Sequence, residues 1–207
     1  MIVYIGQTRA RALIARLTAL GYREITQRHE LPPRRQPWAI DNGAFGDWRA
    51  GRAFDAVQFR HALARSKDLP TPDFVVVPDR VAAGRDSLAL SMEWLDECKN
   101  YGPPYLVVQD GMTEADVLDV APRFAGLFVG GTLPWKIETS SAWVRLAHSI
   151  GRKCHIGRVG TPTRVRWARR IGADSIDSCL PLWSASKLDA FVHAVSDSSQ
   201  QELWGAN

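Results

Sequence analysis

Several short apolar runs in this chain end in residues that can do chemistry. Ile40 leads into Asp41-Asn42-Gly43-Ala44-Phe45, and Val77 into Pro78-Asp79-Arg80. Later runs close on Gln109-Asp110-Gly111, Gly130-Gly131-Thr132, Arg158-Val159-Gly160-Thr161 and Asp177-Ser178-Cys179. Asp and Gly after a strand are also ordinary turn and helix-cap residues. Asp41 and Asp177 stand apart because each closes an apolar run, where a charge is costly unless it is paired or used. A carboxylate can act as a nucleophile, and a second group can carry the accompanying proton.

For these ends to converge, the runs must lie side by side. Ile2–Ile5, Arg23–Thr26, Trp38–Asp41, Phe74–Val77, Tyr105–Gln109, Gly126–Gly130, Cys154–Val159 and Ser175–Asp177 are short and apolar enough to be buried parallel strands. Between most of them the pattern predicts helices at Thr8–Leu20, Ala53–Ser66, Arg85–Lys99, Thr113–Val120, Glu138–Ile150, Pro162–Ile171 and Ser184–Ser196. Thr161-Pro162 is a cap followed by Pro at the first helical position. Gln27–Pro37 holds three prolines and is predicted to be an irregular connection.

Eight strands alternating with helices predict a compact α/β fold, a closed (β/α)8 TIM-like barrel, over residues 1–196, followed by a polar tail at 197–207. The length of 207 residues is at the small end for that fold. An open doubly wound sheet is the alternative, and the lack of a G-x-G-x-x-G after the first strand counts against a dinucleotide binder. In a barrel the active site lies at the C-terminal ends of the strands, where the residues above sit. No stretch is long and apolar enough to cross a membrane. The three cysteines, Cys98, Cys154 and Cys179, lack metal spacing, so no zinc site is expected and a reduced, cytoplasmic setting fits them. The net charge of +4 permits a nucleic-acid partner without requiring one.

The ordered segments resemble the guanine transglycosylases, barrel enzymes that exchange guanine for a 7-deazaguanine base. Gly157–Trp183 is similar to that family's Val-Gly-x-Pro, helix, Gly-x-Asp-x-x-Asp-x-x-x-Pro block. Ile40–Phe45 resembles its Asp-Ser-Gly-Gly-aromatic segment, Leu106–Gln109 its Val-Gln-Gly-Gly strand, and Phe128–Leu133 its Gly-Gly-Leu segment. The absence of the three-Cys, one-His zinc cluster of tRNA-modifying members makes the chain look more like the DNA-modifying, DpdA-type branch linked to phages. A phage-encoded protein acting in the host cytoplasm is the corresponding expectation.

The resemblance implies roles. Asp177 is the nucleophile on the sugar C1′ and Asp41 the general acid/base. Asp79 and Gln109 read the purine edge, Gly130 and Gly131 donate backbone N–H groups to the base carbonyl with Thr132 beside them in the base-binding set, and Phe45 stacks on the base. It implies no cofactor and no metal. DNA, single-stranded or with a flipped guanine, is the expected partner, with a 7-deazaguanine base as the small-molecule substrate. Arg34, Arg35, Lys136, Arg158 and Arg164 are the expected nucleic-acid contacts. Arg166, Arg169 and Arg170 are read as solvated, and the five histidines show no ligand spacing. Three alternatives stay open: a tRNA-directed enzyme, a glycosylase using water, and a non-catalytic subunit of a modification complex. A homodimer or a partner protein is compatible with the sequence.

Overall fold

Runs rich in Val, Ile and aromatic residues form eight strands: β1 (Ile2–Ile5), β2 (Arg23–Gln27), β3 (Trp38–Asp41), β4 (Val75–Val76), β5 (Pro104–Val108), β6 (Gly126–Val129), β7 (Lys153–Ile156) and β8 (Ser175–Ser178). The computed structural model describes residues 1–197. Each strand pairs in parallel with the next, and β8 returns to β1 with Tyr4 opposite Asp177. The sheet is therefore a closed barrel with no free edge, and the open doubly wound alternative is excluded. Of the tail expected at 197–207, only Asp197 lies within the described residues.

The helices are α1 (Arg11–Ala19), α2 (Ala44–Arg49), α3 (Ala56–Ser66), α4 (Arg85–Lys99), α5 (Glu114–Val117), α6 (Leu133–Ser149), α7 (Pro162–Arg170) and α8 (Ala185–Ser196). No helix joins β2 to β3, as the prolines of that segment predict. Two helices join β3 to β4, and α2 was not expected. It is short, and it starts after Gly43, whose φ of 78° turns the chain sharply out of β3. Helix α6 begins at Leu133 rather than Glu138, because Pro134 sits in its first turn, where a missing N–H does no harm. Thr161 caps α7 as expected, its side chain accepting from the Arg164 N–H at 3.2 Å. Among the described residues no helix is long and apolar enough to cross a membrane.

Two apolar layers hold the barrel. Leu17, Phe59, Leu95, Trp143 and Phe191 are fully buried between sheet and helices. Tyr4, Phe74, Tyr105 and Phe128 fill the interior, with Phe74 and Tyr105 stacked at 4.4 Å. Each such side chain contributes about 1.5–3 kcal/mol by leaving water. The aromatic filling also plugs the barrel, so a ligand can enter only at the rim. Arg166 and Arg169 are not merely solvated. Arg166 pairs with Asp197 at 3.0 Å, and Arg169 donates to the carbonyls of Val195 and Asp197. Helix α7 packs beside α8, and the Arg169 guanidinium satisfies carbonyls at the end of α8 while Arg166 holds the Asp197 carboxylate.

Candidate active site at the C-terminal rim

A narrow pocket with about 40 Å³ of open space lies at the C-terminal ends of β3 to β8. Seven residues that the sequence assigned to catalysis or base binding line it together: Asp41, Phe45, Asp79, Gln109, Gly130, Gly131 and Asp177. Asn42 and Arg158 line it as well, over an apolar base that includes Val76, Val107 and Phe128. Residues spread over more than half of the chain are brought to one place by strand order alone.

Asp177 sits on β8, largely but not wholly buried. Its Oδ1 accepts from the His155 Nε2 at 2.9 Å and from the Arg158 backbone N–H at 3.1 Å. Arg158 adopts φ 59°, a left-handed backbone that few non-glycine residues take, and that bend aims its N–H at Asp177. Among the described residues none bonds Oδ2, so one oxygen is held and the other is open. His155 is fully buried, stacked on Phe128 at 4.6 Å, and its Nδ1 meets the Ser175 hydroxyl at 2.9 Å. With the proton on Nε2, the ring donates to Asp177 and accepts from Ser175. Sequence reasoning left His155 without a role. Its position on β7, two residues before Gly157 and register-paired with Ser175, was the available signal.

Asp41 ends β3, and its Oδ1 accepts from the Gly43 N–H at 3.0 Å. Burial, and after it the charge of Asp177, pushes its carboxyl up to about 6. Asp79 is nearly fully buried and accepts from Asn42 Nδ2 at 2.7 Å and from Gln109 Nε2. Burial again dominates and pushes it up to about 6, with the Asp41 charge adding to the rise and the two amide donors opposing it. Asn42, a second residue passed over in the sequence, ties β3 to β4 through the Val77 carbonyl at 2.9 Å. Buried Arg28 then fixes α2 by bonding the Asn42 carbonyl and Asp47. Gly130 is required by close approach, since a Cβ there would lie 2.6 Å from Gln109 Nε2. A Cβ on Gly157 would likewise meet the Phe128 ring at 2.6 Å.

Arg158 belongs in the pocket rather than on an outer nucleic-acid surface. Its guanidinium lies 3.6 Å from the Phe45 ring centroid and donates to the Gly131 carbonyl. Burial lowers its pKa, and the charges of Asp177, Asp41 and Asp79 oppose that fall.

Four further expectations are corrected. The Gly130 N–H is spent on the Val108 carbonyl at 3.0 Å, so it cannot donate to a base. Thr132 immediately precedes α6 and turns its N–H and hydroxyl to Asp110, away from the pocket. Lys136 is buried and donates to the Gly157 carbonyl, so it meets no phosphate. Burial, and secondarily the nearby Arg158 charge, pulls its ammonium down to about 7. Arg35 is buried against Glu24 at 3.4 Å and donates to the Ile5 carbonyl, so it stitches the β2–β3 connection to the barrel. Arg34 remains exposed. Arg164 is half-buried at the start of α7, outside the pocket lining, and the buried residues of that helix are Val165 and Ala168.

Fold and site together define a (β/α)8-barrel protein with a small pocket at the C-terminal face, lined by three carboxylates, two carboxamides and one guanidinium. No family model and no curated protein matches the chain.

Proposed function

We propose that this protein exchanges a guanine base in DNA for a 7-deazaguanine base, with Asp177 as nucleophile and Asp41 as general acid/base. The observation that carries the reading is the convergence of Asp41, Phe45, Asp79, Gln109, Gly131 and Asp177 on one pocket. These are the residues to which the resemblance assigns the chemistry and the reading of the purine. In the reaction, Asp177 Oδ2 attacks C1′ as the C1′–N9 bond breaks, and the electron pair leaves with guanine. Asp41, whose carboxyl burial pushes up to about 6, supplies the proton to the departing base. The incoming base gives its N9 proton to Asp41, attacks C1′ and expels the Asp177 carboxylate. The unbonded Oδ2 suits this role, and the two bonds to Oδ1 keep the carboxylate oriented. Asp79, Asn42 and Gln109 offer the mixture of donors and acceptors that a purine edge needs.

The test incubates the protein with a guanine-containing single-stranded DNA oligonucleotide and labelled guanine, and in parallel with tRNA. Label should enter DNA, and Asp177→Asn should remove at least three orders of magnitude of the rate while leaving the unfolding transition in place. Exchange at the wild-type rate by Asp177→Asn would refute the mechanism. Abasic sites accumulating without added base would identify water as the acceptor, and label entering only tRNA would move the substrate to RNA.

A further inference from the structure

Beside the pocket, on the same rim, lies an open groove of about 800 Å³. It is formed by the β1–α1 loop and the β2–β3 connection, and Gln7, Arg9, Arg11, His29, Glu30 and Arg34 are among its lining residues. Register places it: β1 pairs with β8 at Tyr4–Asp177, and β2 pairs with β3 at Gln27–Asp41. The pocket occupies the sector from β3 to β8. The groove fills the remaining sector, between the strands that carry the two catalytic aspartates.

Arg9, Arg11 and Arg34 are exposed, and among the described residues their guanidiniums have neither an ion pair nor a hydrogen bond. Arg23, Arg28, Arg35, Arg60 and Arg85, by contrast, each meet a carboxylate. The groove's own carboxylate, Glu30, is turned onto the Gln27 N–H at 3.0 Å. The base of the groove is rigid, because Gln7 Nε2 bonds the carbonyls of Glu30 and Pro32, with the Glu24–Arg35 pair buried close by. Two exposed tryptophans stand on either side of this sector. Trp183, 72% exposed, follows β8 on a loop whose Cys179 and Leu182 approach Gly6. Trp48, 48% exposed, follows β3 on α2. Unpaired guanidiniums in an open groove, flanked by exposed aromatic rings, match the chemistry of a single nucleic-acid strand, with phosphates on the arginines and bases on the rings.

We propose that this groove holds the phosphodiester backbone next to the target nucleotide, a single strand of DNA whose base enters the pocket. The inference rests on the proposed base exchange for its substrate, but not for its observations. The test is fluorescence anisotropy of the full chain with a labelled single-stranded DNA oligonucleotide across a salt series. Replacing Arg9, Arg11 and Arg34 by Ala should weaken binding about tenfold or more near physiological salt. It should also flatten the plot of log affinity against log salt by about 2, from roughly 0.7 per phosphate contact. Trp183→Ala should weaken binding about tenfold with the salt slope unchanged. Arg123→Ala with Arg170→Ala, which precede β6 and β8 at the opposite end of the barrel, should leave both quantities alone.

An unchanged slope and affinity in the triple arginine variant overturns the groove, even if the wild type exchanges bases. Groove-dependent binding without base exchange keeps the groove and removes the proposed reaction. Absence of oligonucleotide binding by the wild type also overturns the proposal and leaves the arginines to an anionic protein partner.

Discussion

His155→Phe combined with Ser175→Ala isolates how Asp177 is held. Phe keeps the ring volume and the stack on Phe128 at 4.6 Å. On its own it would strand the buried Ser175 hydroxyl, whose only side-chain partner among the described residues is His155 Nδ1 at 2.9 Å, at about 1–3 kcal/mol. Removing that hydroxyl as well confines the change to Asp177, which loses one of the two hydrogen bonds on Oδ1 and keeps the Arg158 N–H. A hydrogen bond to a charged group contributes about 1.5–3 kcal/mol. If the bond matters through orientation, kcat for base exchange falls about 10- to 150-fold. KM should hold, because Asp79, Asn42 and Gln109 bond one another and are untouched. Steady-state incorporation of labelled base at varied oligonucleotide concentration measures both quantities, with thermal unfolding in parallel. A double variant whose kcat stays within a factor of about two, or whose KM alone changes, refutes the positioning role of His155.

Asp79→Asn should stabilise the fold at neutral pH but not at pH 4. The Asp79 pKa is raised from 3.8 to about 6, so the native state binds more protons than the unfolded chain between those values, and stability is lost as pH rises through about 6. That rise corresponds to at most about 3 kcal/mol, and about 1 kcal/mol should survive, because Asn42 and Gln109 lose part of their acceptor. Denaturant unfolding at the two pH values reads it, and an equal gain at both would discard the burial argument. For activity, kcat/KM for the oligonucleotide should fall as pH rises through about 6 and Asp41 loses the proton it must give to guanine. Arg158→Leu should move that limb to higher pH, since the guanidinium charge lowers both Asp41 and Asp79. A limb that stays in place would mean that Arg158 does not act on these carboxylates.

The barrel was legible because parallel strands buried on both faces leave continuous apolar runs, and eight of them stand in order with helices between most of them. The ends of those runs were legible for the same reason, since an aspartate after Ile40 or Ile176 breaks an apolar pattern. What side chains do after leaving the strand was not. Arg34 and Arg35 are neighbours in sequence, yet one is exposed and the other buried against Glu24. The partner that separates them comes from β2, ten residues earlier and more, and composition does not reveal it. Lys136 failed in the same way, because its burial depends on the Gly157 carbonyl across two elements. His155 was missed because a histidine on an apolar strand looks like core. It is core, and its ring edge nevertheless reaches Asp177.

Arg158 joins these observations. The pocket gathers Asp41, Asp79 and Asp177 where water is scarce, and such a cluster needs a compensating charge. The guanidinium supplies it while lying over Phe45, a contact of about 0.5–2 kcal/mol. It also fills the face on which a purine would stack, and the open space of about 40 Å³ holds a water or two rather than a base. On the proposed reading, the entering base takes the Phe45 face and the guanidinium leaves it. The Gly131 carbonyl then loses its donor, and Asp41 and Asp79 lose part of the charge that keeps them ionised. Base entry would thereby favour protonation of Asp41, the state needed to release guanine. On that reading one side chain would couple occupancy of the pocket to the proton that base exchange needs.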